Sequence, residues 1–433
     1  MKVCIFYTVS RRDGMSKEKL AIDGGTPVIT EGIPSGMHGP SVIDQQEIDA
    51  VAGVLKSGKL FRFCEGSHVA AFQEEAAELV GVKHALMVNS GTSALICGLT
   101  GVGVGPGDEV IVPGYTYIST AASVVGVGAV PVIAEIDESL GLDPQDVESK
   151  ITPYTKAIIP VYMQGVPARI DAIMDVARRH NIMTVEDCCQ CIGGRYKGRY
   201  VGSIGDAGAW SLNYYKIITT GEGGVIFTDD YVTFEKAAFA SEPGLPMWMR
   251  DSEWETAPFS RQCYRPSEIM GAIARVQLSK MEDILGHTRK LKRAFLAELA
   301  EPKGYQLQYV DDPEGECGIS AAIIVRDQEL AKRYAEALQA EGLGAGTAYN
   351  EGFPDRHIYS YWDSILGKNS PHPTGYPWRD PAYKGNVEYS RDMCPRTLSI
   401  LSRALRFGFN VNMREEHAQL MAAAINKVDA ALG

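Results

Sequence analysis

No stretch of this 433-residue chain approaches the ~18 uninterrupted apolar residues that a membrane-crossing helix requires. Positive charge is also in short supply: 42 Lys and Arg stand against 54 Asp and Glu, leaving a net charge of -12. A surface that tracks nucleic-acid phosphates needs clustered cations. The densest basic groups, Arg178-Arg179 and Arg289 to Arg293, fall in helix-like stretches and read as solvated faces. Neither nucleic acid nor a membrane is therefore expected as a partner. The nine cysteines are odd in number and scattered, so no disulfide framework is expected, and a reducing cytoplasmic setting fits. Cys188, Cys189 and Cys191 cluster without a second Cys/His pair nearby, so they are expected to be small buried residues and no metal site is expected. The opening MKVCIFYTVSRRDG carries its charges after a short apolar patch and shows no small-residue cleavage site, unlike a secretory leader. Met15 begins a second plausible start, which makes the first fourteen residues an expected loose extension.

What is present is an α/β pattern. Glycine and proline crowd residues 24–40, an expected irregular arm. Ile48, Val51 and Leu55 then recur at helical spacing until Gly58, and a second helix follows a Ser67 cap through Val69, Phe72, Ala76 and Leu79. From Ala85 onward short apolar runs (ALMV, EVIV, VPVIAEI, AIIPVY, IMTVE) alternate with helical segments. That rhythm predicts a mostly parallel sheet with helices on both faces. A helix is expected from Ser267 through Leu285, leading out of the first domain. The expected division is an arm (1–40), a large domain (41–285) and a smaller C-terminal α/β domain (286–433), interrupted by an aromatic, proline-rich insertion from Phe353 to Tyr389.

Ligands in such sheets bind at the carboxyl ends of strands. Asp187 directly follows the IMTVE run, and 29 residues later Lys216 sits between a Ser/Asn/Tyr segment and a TTGEGG turn. An amine that can hold an aldehyde as a Schiff base, with a carboxylate to keep a pyridine nitrogen protonated, outlines a pyridoxal phosphate site. The NSGTSAL segment follows ALMV in the same way. A phosphate could rest on the helix amino terminus at Gly91, Thr92 and Ser93, where backbone N–H groups and the dipole favour an anion. GVGVGPG (101–107) follows a helix and precedes a strand, the reverse of a dinucleotide fingerprint.

These motifs, with DEVIVPGYTYIST and VEDCCQCIGG in the same order, resemble the DegT/DnrJ/StrS family of sugar aminotransferases, fold type I pyridoxal phosphate enzymes. The resemblance runs from LAIDGG to the last helix. It implies that Lys216 holds the coenzyme, Asp187 pairs with its ring nitrogen, Gln190 contacts its ring hydroxyl oxygen and Tyr117 stacks on the ring. It further implies that Thr92, Ser93 and Ser211 take the phosphate, and that the working unit is a homodimer. KLFRF (Lys59 to Phe63) and AGTAYNEGF…YSYW are similar to the branch acting on keto sugars, keto-octulosonates and cyclitols, which includes aminohydroxybenzoate synthase. There Arg62 would engage a carboxylate of donor or substrate. Acceptor choice is expected in the loops 240–262 and 353–389.

The implied activity is transfer of an amino group from glutamate or glutamine to a keto sugar, keto-octulosonate or cyclitol ketone. The rivals are an aromatising enzyme of the aminohydroxybenzoate type and a catalytically silent sensor; Lys216 speaks against the family's dehydratases, which carry histidine there. One departure stands out. Where the family has Asn-Tyr-Arg reaching across the dimer to the phosphate, this chain reads RQCYRPSEIM with Cys263 in the asparagine's place. A thiol is a poor donor, so either neighbouring Gln262 or Arg265 takes over the contact or the phosphate relies on its own subunit's Thr92, Ser93 and Ser211; Arg265 is the favoured replacement, because its contact is charge-assisted.

Overall fold

The computed structural model describes residues 19–249, 253–350 and 353–433. The expected fourteen-residue extension lies outside the described residues.

The apolar runs become strands. In chain order these are β1 (His84–Val88), β2 (Glu109–Pro113), β3 (Val130–Ala134), β4 (Thr155–Ile158), β5 (Met183–Asp187), β6 (Arg195–Tyr196), β7 (Arg199–Tyr200), β8 (Ala207–Ser211), β9 (Gly224–Thr228), β10 (Tyr305–Leu307), β11 (Ser320–Val325) and β12 (Ala404–Gly408). Seven of them form one sheet in the order β1-β9-β8-β5-β4-β2-β3. Only β9 runs against its neighbours; the other pairings are parallel, as between β5 and β8, where Asp187 lies opposite Ala209. The expected α/β class is thus what the structure shows. β2, β3, β8 and β9 are buried at every residue, because helices cover both faces and leave no side to water.

Side-chain caps set the helix starts. The Asp44 carboxylate accepts from Gln46 N, and Glu47 reaches back to Asp44 N, before the helix Gln45–Ser57. Ser67, Ser90 and Ser267 accept at the starts of His68–Val80, Gly91–Gly101 and Glu268–Glu298. This last helix runs straight through the expected boundary at 285. Beyond it β10, β11 and β12 form a second, antiparallel sheet, and its core with the helices Gln328–Ala340 and Glu415–Leu432 takes in Leu20 and Ile29 of the arm. Among the described residues, no helix is long and apolar enough to cross a membrane.

The insertion packs on the large sheet. Tyr359, Trp362, Ile365 and Trp378 join the large sheet's core, with Tyr359 and Trp362 wholly enclosed. Each such aromatic contributes roughly 1.5–3 kcal/mol of burial. Its first leg is fastened to the loop after β2, where Thr116 N donates to His357 O at 2.8 Å and Ile118 N to Arg356 O at 3.0 Å.

Candidate active site

A cavity of about 1210 Å³ opens at the carboxyl ends of the central strands, lined among others by Gly91, Thr92, Tyr117, Asp187, Gln190, Ser211 and Lys216. Residues spread over 126 positions of sequence therefore face one space (Gly91 to Lys216).

Asp187, at the end of β5, is only 4% exposed. Its Oδ2 accepts from Thr120 Oγ1 at 2.8 Å and its Oδ1 from Cys189 N at 3.1 Å, but it has no cation partner among the described residues. A buried carboxylate with two donors and no cation suits a protonated ring nitrogen. Lys216 lies in the loop after β8, and its amine makes no hydrogen bond or ion pair among the described residues. Gln190 Oε1 accepts from Gln164 N at 3.2 Å, which directs the amide oxygen away and leaves its N–H groups for a ligand.

The helix start at Gly91 forms a small cradle on the cavity rim. Ser90 caps the helix Gly91–Gly101 at the rim of the cavity. A Cβ added to Gly91 would stand 2.6 Å from Ser211 Cβ, so glycine is what allows the helix start and Ser211 to close on one small space. Backbone N–H groups at a helix amino terminus beside two hydroxyls, Thr92 and Ser211, match a phosphate dianion. The residues present therefore fit pyridoxal phosphate at both ends.

Ser93 differs from expectation. Its hydroxyl donates to Asn89 Oδ1 at 2.7 Å and lies 2.8 Å from Ser90 Oγ, leaving it buried and off the cavity wall. The helical phase set by the Ser90 cap turns Ser93 back onto the cap itself. The S-x-x-S spacing of Ser90 and Ser93 is the signal that could have shown this.

Arg62 and Arg265 do not line this cavity. They sit with Phe61, Phe63 and Trp248: Arg62 lies over the Phe63 ring at 4.9 Å, Arg265 over Phe61 at 5.2 Å, and Arg265 Nε stands 2.8 Å from Glu242 Oε2. Burial pulls the Arg62 guanidinium down to about 10 against the opposing pull of Glu242 and Glu268. Its Nη1 is enclosed with no partner among the described residues. Cys263 is exposed beside Arg265, whose Nε lies 3.2 Å from the thiol.

Of the two loops expected to choose the acceptor, 353–389 supplies Phe353, Pro354, Asp355, Arg356 and His357 to the wall, whereas no described residue of 240–262 lines it. His357 Nδ1 lies 2.7 Å from Asp355 Oδ1, and its ring is 5.5 Å from that of Tyr117, which is 40% exposed. Burial works to raise the Asp355 carboxyl, but the bonds from the His357 ring and amide outweigh it and hold the group below its usual range.

Three of the cysteines fill space beside the site. Cys188 and Cys191 are fully buried, and Cys191 Sγ lies 3.6 Å from Cys317 Sγ; burial pushes the Cys188, Cys189 and Cys191 thiols well up. The buried Cys188 and Cys191 thiols therefore stay protonated, whereas Cys189 is half-buried on the cavity wall.

The chain has known relatives. Residues 41–372 match the model of the DegT/DnrJ/EryC1/StrS aminotransferase family. A putative L-glutamine:3-amino-2,3-dideoxy-scyllo-inosose aminotransferase of Streptoalloteichus tenebrarius is 33% identical over 345 residues, 75% of this chain and 80% of that protein. The spore coat polysaccharide biosynthesis protein SpsC of Bacillus subtilis is 32% identical over 338 residues, 75% of this chain and 85% of its own. Among solved structures, 3-amino-5-hydroxybenzoic acid synthase superposes with a TM-score of 0.75 at 25% identity, covering 94% of this chain and 100% of that one. The chain is a pyridoxal phosphate-dependent aminotransferase and belongs to the DegT/DnrJ/EryC1/StrS family.

Proposed function

We propose that this protein moves the amino group of glutamine or glutamate to the ketone of a polyhydroxylated ring or sugar, giving an aminocyclitol or amino sugar. The observation that carries the proposal is the Lys216 amine sharing one cavity with the buried, cation-free Asp187 carboxylate. The relatives named for glutamine and scyllo-inososes support the donor and acceptor classes.

Bound pyridoxal phosphate supplies the electron sink and the temporary amine carrier. Lys216 Nζ would hold it covalently, and, once released, take a proton from the α-carbon of the amino donor and later return one to the acceptor carbon. Asp187, fixed by Thr120 and Cys189 N, would keep the ring nitrogen protonated. Tyr117 would cover one ring face, Gln190 would donate to the ring oxygen, and Thr92, Ser211 and the Gly91 helix start would hold the phosphate. Arg356 is the guanidinium on the wall that suits a substrate carboxylate.

A homodimer completes the proposal. Trp248, 52% exposed, packs on Phe61 and Phe63 beside Leu60, 49% exposed, and this exposed aromatic cluster is the surface we assign to the partner. Arg265, beside Phe61 and Trp248 in that region, would then serve the partner's phosphate. Sedimentation at micromolar concentration should give about twice 47.0 kDa; an active monomer would refute the dimer.

The activity test is direct. Protein loaded with pyridoxal phosphate should change absorbance on adding glutamine or glutamate, and one of a panel of inososes, keto-octulosonates and keto sugars should restore it. No response to either donor would overturn the proposal.

A further inference from the structure

The amino-terminal arm carries a histidine into the cavity that none of the roles above employs. Residues 34–39 are clamped at both ends. Asn410 Nδ2 donates to Pro34 O at 2.9 Å and Asn412 Nδ2 to Ser35 O at 3.0 Å, while Gly39 N donates to Lys216 O at 3.3 Å. Two glycines allow this closeness: a Cβ at Gly36 would stand 2.3 Å from Asn412 Nδ2, and one at Gly39 2.9 Å from Thr219 N. His38 is thus held between the small sheet and the lysine loop, on the wall of the same cavity as Lys216.

Its two ring nitrogens are in different situations. Nδ1 is enclosed and has no hydrogen-bond partner among the described residues; Nε2 also makes no bond there but is not enclosed. A charged ring would have to place an N–H at Nδ1 facing no acceptor. Burial accordingly pushes the group down to about 4, and the imidazole is neutral at physiological pH.

We infer that His38 is a substrate-binding residue of the acceptor stage, using Nε2 to hydrogen-bond a hydroxyl of a polyhydroxylated ketone that carries no nucleotide. The inference rests on the amino-transfer reading above. A neutral imidazole offers little to the donor's α-carboxylate, which favours a cation such as Arg356. It suits a hydroxyl, which can donate or accept. A nucleotide diphosphate would bring at least two more negative charges to a wall that carries Asp355 and Glu222 as well as Arg356, so a small polyol fits this lining better.

The experiment separates the two stages in loaded wild type, His38→Ala and His38→Asn. With glutamine or glutamate alone, the rate of the absorbance change should be the same in all three. With scyllo-inosose or a keto-octulosonate, whichever the wild type aminates faster, His38→Ala should raise KM roughly tenfold with a smaller change in kcat. His38→Asn, which keeps an uncharged polar group, should recover part of that loss. Calorimetric titration with unreactive myo-inositol should weaken by a similar factor in His38→Ala. Equal acceptor KM in His38→Ala and wild type would overturn the role of His38 while leaving the amino-transfer reading intact. Turnover only of nucleotide-linked keto sugars would overturn the substrate class, and inertness toward every ketone would overturn the reading beneath it.

Discussion

Thr120 Oγ1 donates to Asp187 Oδ2 across 2.8 Å, joining the helix Ser119–Gly126 to the end of β5, and Thr116 Oγ1 lies 2.7 Å from the same Thr120 hydroxyl. The three groups are buried. A hydrogen bond to a buried charge is worth about 1.5–3 kcal/mol. Thr120→Val keeps the shape and removes the bond, so coenzyme affinity should fall roughly ten- to a hundredfold with the fold retained. Spectroscopic titration measures this; unchanged affinity would show that Cys189 N alone holds the carboxylate.

If Lys216 has the two roles proposed for it, Lys216→Ala should lower turnover by several orders of magnitude, because one substitution would remove both the covalent anchor and the proton carrier. Borohydride reduction of the loaded protein and peptide mapping should mark Lys216. A mark on another lysine would refute the assignment.

Asp187→Asn would leave the protonated ring nitrogen of the coenzyme without its buried countercharge, at a cost of about 3–5 kcal/mol. Turnover should fall steeply while weak coenzyme binding stays detectable. Near-normal turnover would mean that another carboxylate serves the ring.

How much of this site could be read in the sequence depends on how locally each residue is placed. Asp187 follows an apolar run that becomes β5, and Gly91 follows one that becomes β1; strand order then brings both to the same sheet edge. Ser93 faces its own cap, because a place at a helix amino terminus does not give the phase that the Ser90 cap imposes on the residues after it. His38 lay in an arm without periodicity, and its position is set by Asn410 and Asn412, more than 370 residues away. His357 reaches the site through backbone pairing of its own segment with Thr116 and Ile118, which no side-chain pattern encodes.

The arm's anchorage can be tested at Glu341, whose side chain is fully enclosed and accepts from Ala21 N at 2.8 Å, Val28 N at 3.0 Å and Lys427 Nζ at 2.9 Å. Lys427→Met leaves that carboxylate buried without its cation, a loss of about 3–5 kcal/mol. The unfolding temperature should drop, and amide exchange at Ala21 and Val28 should speed up. Adding Glu341→Gln should recover part of the stability. If Lys427→Met melts like wild type, the pair does not hold the arm.

The depressed group at His38 makes stability depend on pH with a definite sign. Its folded value is about 4 against an ordinary 6.5, so the unfolded chain binds the proton more readily than the folded one. Stability is therefore full above about pH 6.5 and is lost as pH falls from there toward 4, by on the order of 2–3 kcal/mol at pH 4.5. Carboxylates titrate over part of the same window, so the measurement is a difference. Wild type and His38→Gln are compared by thermal unfolding at pH 7 and pH 4.5, and the variant should lose less on acidification because it has no ring to protonate. Equal losses in the two proteins would mean that the His38 ring takes up its proton as easily in the folded arm as in the unfolded chain.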